Sequence, residues 1–224
     1  MNEVGCSDQR RLGKSYYSFE SYVTLERMVT YWYQIKETLS LNPKRVLEIG
    51  KGSGIVESSC RAFGLNVETA DINEQLNPDH VLSVLDAGEA FMANPYDLIL
   101  CARVLHHVPF EDFRKALESL SKAGKYTVLT LPVDDLRIYI SFRATSKRSI
   151  VFSVPFPLSV KRMYLKFSGK DKTYYANLWK IGSSKETQLD QIKSTISCFF
   201  EVVQDYSIRE DKSHHIFVLR SRRL

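Results

Sequence analysis

The spacing of apolar positions changes several times along the chain, and each change predicts an element. Over residues 20–41, "ESYVTLERMVTYWYQIKETLSL", Val23, Leu25, Met28, Val29, Trp32, Ile35 and Leu39 recur at helical spacing until Asn42-Pro43 ends the pattern. The short apolar run in "KRVLEIG" predicts a buried strand, and "IVESSCRAFG" a helix closed by Gly64. "NVETADI", "HVLSVLD", "YDLILCA" and "KYTVLTLP" read as a second, third, fourth and fifth strand. Between the last two, "PFEDFRKALESLSKAG" is a helix with Pro109 at its start and Gly124 at its end. Shorter helical patterns fit near 88–93 and 186–198. "FFEVVQDYSI" and "SHHIFVLRS" read as two strands around the polar turn "REDK".

Strands that alternate with helices and are apolar throughout predict an α/β fold. Its sheet is mostly parallel, with helices on both faces. The last two strands, joined by about four residues, must be antiparallel, since no crossover helix fits between them. The link "NEQLNPD" is too short for a full crossover helix and fits the pattern least well. The 224 residues suit one domain with a full core, spanning 1–224. The helix at 20–41 leads into it, and a region at about 133–185 reads as an insertion.

Composition adds exclusions. The chain is 44% hydrophobic and 25% charged, ordinary for a globular protein, and no run approaches the ~18 apolar residues of a membrane span. The N-terminus, "MNEVGCSDQRRLGKSYY", lacks an apolar signal core. Cys6, Cys60, Cys101 and Cys198 form no C-x-x-C pair. That argues against a zinc site or a disulfide framework, and it fits mostly buried thiols in a reducing cytoplasm. The net charge of +5 is unevenly spread: residues 136–185 hold eleven basic residues against the single acid Asp171, which leaves the rest of the chain at −5. Such a split bears on partners rather than on fold.

The candidate chemistry centres on "RVLEIGKGSG", residues 45–54. In doubly wound sheets ligands bind beyond the carboxyl ends of the strands, so the loop Gly50-Lys51-Gly52-Ser53-Gly54 faces a ligand. Bare positions there let a ligand approach the main chain. Asp71 ends the second strand, where a carboxylate can accept both hydroxyls of an adenosine ribose; a surface helix cap is its competing role. Asp86, in "SVLDAG", either accepts a hydrogen bond near the adenine amine or caps the helix that begins near Gly88. The dinucleotide fingerprint is G-x-G-x-x-G, whereas this loop is G-x-G-x-G with Glu48 just before it. A carboxylate there repels a pyrophosphate and attracts an ammonium or sulfonium. The ligand that fits best joins an adenosine to a cationic amino acid, as S-adenosyl-L-methionine does.

With "VLEIGKGSG" first, then "ADI", "LDA" and "YDLILCARVLHHVP" in order, the sequence resembles a class I, Rossmann-like S-adenosylmethionine-dependent methyltransferase of the small-molecule type. The resemblance covers roughly residues 20–131, with a weaker match through "ANLWKIG" and the last two strands. It implies a seven-stranded, doubly wound sheet in the order 3-2-1-4-5-7-6, the seventh strand antiparallel, and S-adenosyl-L-homocysteine as the spent cofactor. Carried over by position, Gly50 and Gly52 pass close to the methionine part, Gly54 belongs to the same cofactor-binding loop, and Glu48 lies beneath the methionine part, near its amino group or ordering the loop. Asp71 holds the ribose, Ile72 packs on adenine, Asp86 and Ala87 edge the base, and Cys101 approaches through its backbone. Lys51 departs from the small or polar residue usual in its slot and is expected to point outward.

Proton transfer is needed only if the acceptor carries a proton it must lose. The candidates are His106, His107, Asp134, Asp135, Tyr174 and Tyr175. In the family pattern the histidine matching His107 more often shapes the loop. "CARV" after the fourth strand does not resemble the Asn/Asp-Pro-Pro-aromatic motif of base methyltransferases, and Cys101 stands where metal-dependent catechol enzymes have an aspartate. The acceptor is expected to be a small molecule with a hydroxyl, carboxyl or amine. The basic, aromatic stretch 136–185 suits a lid over an anionic acceptor, or contact with RNA or an anionic surface. RNA or protein methylation, a non-catalytic cofactor-binding module and a nucleotide-dependent oxidoreductase are the competing readings.

Overall fold

The computed structural model describes residues 12–134, 137–145, 148–155 and 178–224. A short helix α1 (Phe19–Tyr22) precedes α2 (Leu25–Ser40), β1 (Arg45–Ile49), α3 (Ile55–Ala62) and β2 (Asn66–Asp71). Next come β3 (His80–Val81), α4 (Ala87–Phe91), β4 (Tyr96–Ala102), α5 (Phe113–Ala123) and β5 (Gly124–Pro132). The strands β6 (Arg137–Thr145) and β7 (Arg148–Pro155) follow, then α6 (Leu189–Ser197), β8 (Phe200–Ser207) and β9 (His214–Ser221). Seven strands form one sheet in the order β3-β2-β1-β4-β5-β9-β8. The first five run parallel, and β9 lies antiparallel to both β5 and β8. This is the expected order once the separate β6–β7 hairpin is set aside.

The central strands read as unbroken apolar runs because both of their faces are covered. Leu47, Ile49, Ile99 and Cys101 face one core layer, shared with Leu117 of α5 and Ile192 of α6. Val46, Leu98 and Leu100 face the other, shared with Tyr31 of α2 and Val56 of α3. Cys60 and Cys101 are buried free thiols, whereas Cys198 is exposed. Among the described residues no helix is long and apolar enough to cross a membrane.

Three local expectations are corrected. The helix predicted over 20–41 is split, because Thr24 leaves the helical conformation and its Oγ1 accepts the Arg27 N–H at 3.3 Å, a cap that starts α2 afresh. The apolar stripe of α2 is only partly buried: Leu25 is 77% exposed and Trp32 58%, Val29 and Ile35 pack against the core, and Thr30, Gln34, Glu37 and Thr38 are buried. Two of these side chains are held by the C-terminal hairpin, Thr30 Oγ1 donating to Asp211 (3.4 Å) and Glu37 accepting from Tyr206 Oη (2.7 Å).

The third strand keeps only two of its seven predicted residues. Beyond Leu82, whose N–H still reaches Asp71 O (3.1 Å), the chain turns with Asp86 N–H donating to Ser83 O (3.0 Å). Ser119 on α5 holds that turn, donating to Val84 O (2.7 Å) and accepting the Gly88 N–H (2.8 Å). These bonds draw the segment to a helix and away from the sheet edge. The link before β3 carries a single 3-10 turn, Glu74–Leu76, as its length demanded.

Candidate functional site

The carboxyl ends of β1, β2 and β4 open onto a cavity of about 220 Å³. The glycine loop forms one wall, pinned to β2 by the Gly50 N–H donating to Ala70 O at 2.8 Å. Gly50 has φ +88°, and a Cβ there would lie 2.3 Å from Cγ2 of Val104. A side chain there would have to displace the Val104 side chain, and the left-handed backbone favours glycine.

Glu48 lines the cavity at the end of β1 and is 4% exposed. Its Oε2 has no hydrogen-bond partner among the described residues. Burial, and secondarily the charge of Glu57, raise its carboxyl pKa from 4.5 to about 8. Asp71, one strand over, also lines the cavity. Its Oδ1 accepts the Asn73 N–H at 2.9 Å, and burial raises its pKa against the backbone N–H groups of Asn73, Lys51, Gly52 and Ile72. Lys51 lines the same wall, with its ammonium donating to Asn77 O (2.7 Å) and lying 3.7 Å from Glu57.

The turn after β4 supplies Ala102, Arg103 and Val104, followed by His106 and His107. Arg103 takes a left-handed backbone, φ +61°, with its N–H on Thr130 O (3.0 Å). The two imidazoles lie ring to ring with centroids 4.0 Å apart. His106 is 2% exposed, and its Nδ1 has no hydrogen-bond partner among the described residues. Burial first, then the charges of His107, Arg103, His214 and Lys180, hold it well below the ordinary 6.5, so the ring is neutral near pH 7.

Of the residues expected to meet a cofactor, the cavity brings together Glu48, Gly50, Lys51, Gly52, Asp71 and Ile72. Gly54, Asp86, Ala87 and Cys101 are not in its lining. Gly54 sits at the cap of α3, Asp86 at the cap of α4, and Ala87 and Cys101 are fully buried in the core. The early turn after β3 puts Leu82, Ser83 and Val84 at the rim instead of Asp86 and Ala87. Asp134 bonds Ile181 O through its N–H (2.8 Å) and does not line the cavity. Asp135, Tyr174 and Tyr175 lie outside the described residues, as does half of the basic stretch 136–185.

Sequence reasoning missed the wall contributed by the N-terminal segment: Tyr16, Tyr17, Tyr22, Arg27 and Tyr31. The rings of Tyr17 and Tyr22 meet edge to face at 4.7 Å. The available signal was the tyrosine density of "KSYYSFESY", which apolar periodicity passes over.

A family model described as a methyltransferase domain matches residues 25–148. Similar solved structures include the N-methyltransferase NodS from Bradyrhizobium japonicum WM9 with S-adenosyl-L-homocysteine. It is 11% identical over 89% of each chain, with a TM-score of 0.58. The magnesium protoporphyrin IX methyltransferase ChlM from Synechocystis PCC 6803, also with S-adenosyl-L-homocysteine, is 15% identical over 88% of this chain and 84% of its own, TM-score 0.55. The PH0226 protein from Pyrococcus horikoshii OT3 is 13% identical over 94% and 100%, TM-score 0.54. At these identities the likeness is one of fold. No curated protein sequence matches the chain.

Proposed function

Because the chain belongs to the S-adenosylmethionine-dependent methyltransferase family, we propose that it methylates a hydroxyl, carboxyl or amine of a small molecule held at the β4 end of the cavity. The observation that carries this reading is the turn at Gly50 beside the buried Glu48, whose Oε2 has no hydrogen-bond partner among the described residues. Together they fit a group that lies against the main chain and brings a cationic amino-acid end. When bound, the cofactor supplies an activated methyl, whose bond to sulfur breaks onto sulfur as the acceptor's lone pair takes the carbon.

The chain's own residues bind and orient. Glu48 would sit under the cofactor's ammonium, with the main chain of Gly50, Lys51 and Gly52 alongside. Asp71 would accept the ribose hydroxyls, and Ile72, with Leu82, Ser83 and Val84, would flank the base. Gly54 would act indirectly, by starting α3. Such positioning accounts for much of the rate in a transfer to an activated donor, up to about 7–11 kcal/mol. The aromatic wall from α1 and α2 would keep water from the transferred group. Where the acceptor carries a proton, His106 or His107 would take it; the low pKa of His106 keeps that ring free to accept one. A magnesium protoporphyrin IX methyltransferase of similar fold is in keeping with a small-molecule acceptor, and the free thiols with a cytoplasmic location.

Calorimetry tests the reading. S-adenosyl-L-homocysteine is expected to bind, and Asp71→Ala to weaken it at least tenfold, about 1.4 kcal/mol. Binding of NAD in place of the sulfonium cofactor and its product would overturn it, and an unchanged affinity would take Asp71 out of the site.

A further inference from the structure

Two arginines line the cavity, and the charge of each is felt at the other. Arg27 comes from the first turn of α2, and Arg103 from the left-handed turn after β4. The Arg27 guanidinium lies over the Tyr22 ring, 3.7 Å from its centroid. Its Nη1 is shut off from solvent and has no hydrogen-bond acceptor among the described residues. The groups that bear most on Arg103 are Tyr22, Arg27, Tyr31 and Asp211, and burial with the charge of Arg27 lowers its pKa.

Neither arginine has a carboxylate in ion-pair reach among the described residues. Asp211, the acid nearest in effect to Arg103, has both oxygens engaged: Oδ1 takes the N–H (3.0 Å) and hydroxyl (2.5 Å) of Ser213, and Oδ2 faces His214 (3.1 Å) and Thr30 (3.4 Å). Glu48 answers chiefly to Glu57, Lys51 and Asp71, so the acids of the glycine-loop wall belong to a separate group of charges. A half-buried pair of like charges without a counter-ion is costly, and a bound anion removes the cost. Two planar forks suit a carboxylate or phosphate in a way that lysines would not.

We propose that Arg27 and Arg103 bind an anionic group of the methyl acceptor, a carboxylate or a phosphate, between the rings of Tyr22 and Tyr31. The proposal rests on the methyltransferase reading above. It places the acceptor's anion beside His106, whose ring feels the Arg103 charge. The cofactor brings a carboxylate of its own, so the experiment must separate the two anions.

The probes are benzoate and phenyl phosphate, with benzyl alcohol as the uncharged counterpart, titrated into protein saturated with S-adenosyl-L-homocysteine. At least one anion is expected to bind, and tighter than the alcohol; which one does so tells carboxylate from phosphate. Arg103→Asn is the variant of choice, because asparagine tolerates the left-handed backbone. It should weaken the anion at least tenfold and leave S-adenosyl-L-homocysteine within twofold of its wild-type Kd. Arg27→Gln, in the first turn of α2, should do the same and serves if Arg103→Asn does not fold. Benzyl alcohol binding as tightly as both anions, or neither anion binding, overturns the proposal. So does a tenfold loss of S-adenosyl-L-homocysteine in both variants, which gives the pair to the cofactor's carboxylate. Failure of wild-type protein to bind S-adenosyl-L-homocysteine at all strikes the methyltransferase reading instead.

Discussion

If Glu48 faces the cofactor's ammonium as proposed, cofactor binding should release a proton. In the free protein its pKa of about 8 leaves roughly nine-tenths of the carboxyl neutral at pH 7. An ammonium placed against it favours the charged form and lowers such a pKa by about 1–3 units. A fall to about 5 would release close to 0.9 proton per S-adenosyl-L-homocysteine bound at pH 7. The affinity contributed by Glu48 would then rise between pH 5 and 8, by up to about tenfold per unit, and level off above 8. The assay is titration calorimetry in two buffers of different ionisation enthalpy, whose difference in observed heat counts the protons. Glu48→Gln should abolish the release and flatten the pH profile. His106 does not imitate the effect, being already neutral at this pH. No proton release in the wild type, or the same release in Glu48→Gln, would refute the placement of the ammonium.

The same shift has a consequence for the free protein's stability. A raised carboxyl pKa penalises folding only where the group ionises when unfolded. The penalty is therefore absent below 4.5, grows as pH rises, and is complete above 8, with a ceiling of about 5 kcal/mol for the move from 4.5 to about 8. Thermal melts should accordingly show Glu48→Gln gaining on the wild type from pH 5 to 9; a constant gap would contradict it. Gly50→Ala meets Val104 at 2.3 Å and a left-handed backbone, so it should lower both Tm and S-adenosyl-L-homocysteine affinity. Adding Val104→Ala should relieve the clash and leave about 1–2 kcal/mol of backbone strain, read by denaturant unfolding. Gly88→Ala places a Cβ 2.8 Å from the Ser119 backbone, where α4 packs on α5. It should cost about 1–3 kcal/mol in urea melts without altering cofactor affinity.

The elements predicted well are those whose signal is local. β1 and β4 are buried on both faces, so their apolar runs needed no knowledge of partners. The β8–β9 hairpin followed from turn length alone. β3 failed because its fate depends on Ser119, some thirty-five residues away, which takes Val84 and Gly88 for the helical layer. The apolar spacing of α2 could not show that Thr30 and Glu37 are buried too, because their partners Asp211 and Tyr206 lie on a distant hairpin. The β6–β7 pair was read for its charge and aromatic content, although "RIYISFRAT" alternates as a strand does.

The sequence by itself determined the layered architecture, the glycine loop after β1 with Glu48 before it and Asp71 at the end of the next strand, and through these the cofactor class. Each of those depends on neighbours along the chain, where covalent spacing does the placing. Only the tertiary structure decided which residues share the cavity. It set the N-terminal tyrosines and Arg27 against Arg103, about 75 residues apart in sequence, and it moved the rim from Asp86 and Ala87 to Leu82, Ser83 and Val84. Those meetings are fixed by packing and hydrogen bonds between elements distant in sequence, which no local pattern encodes.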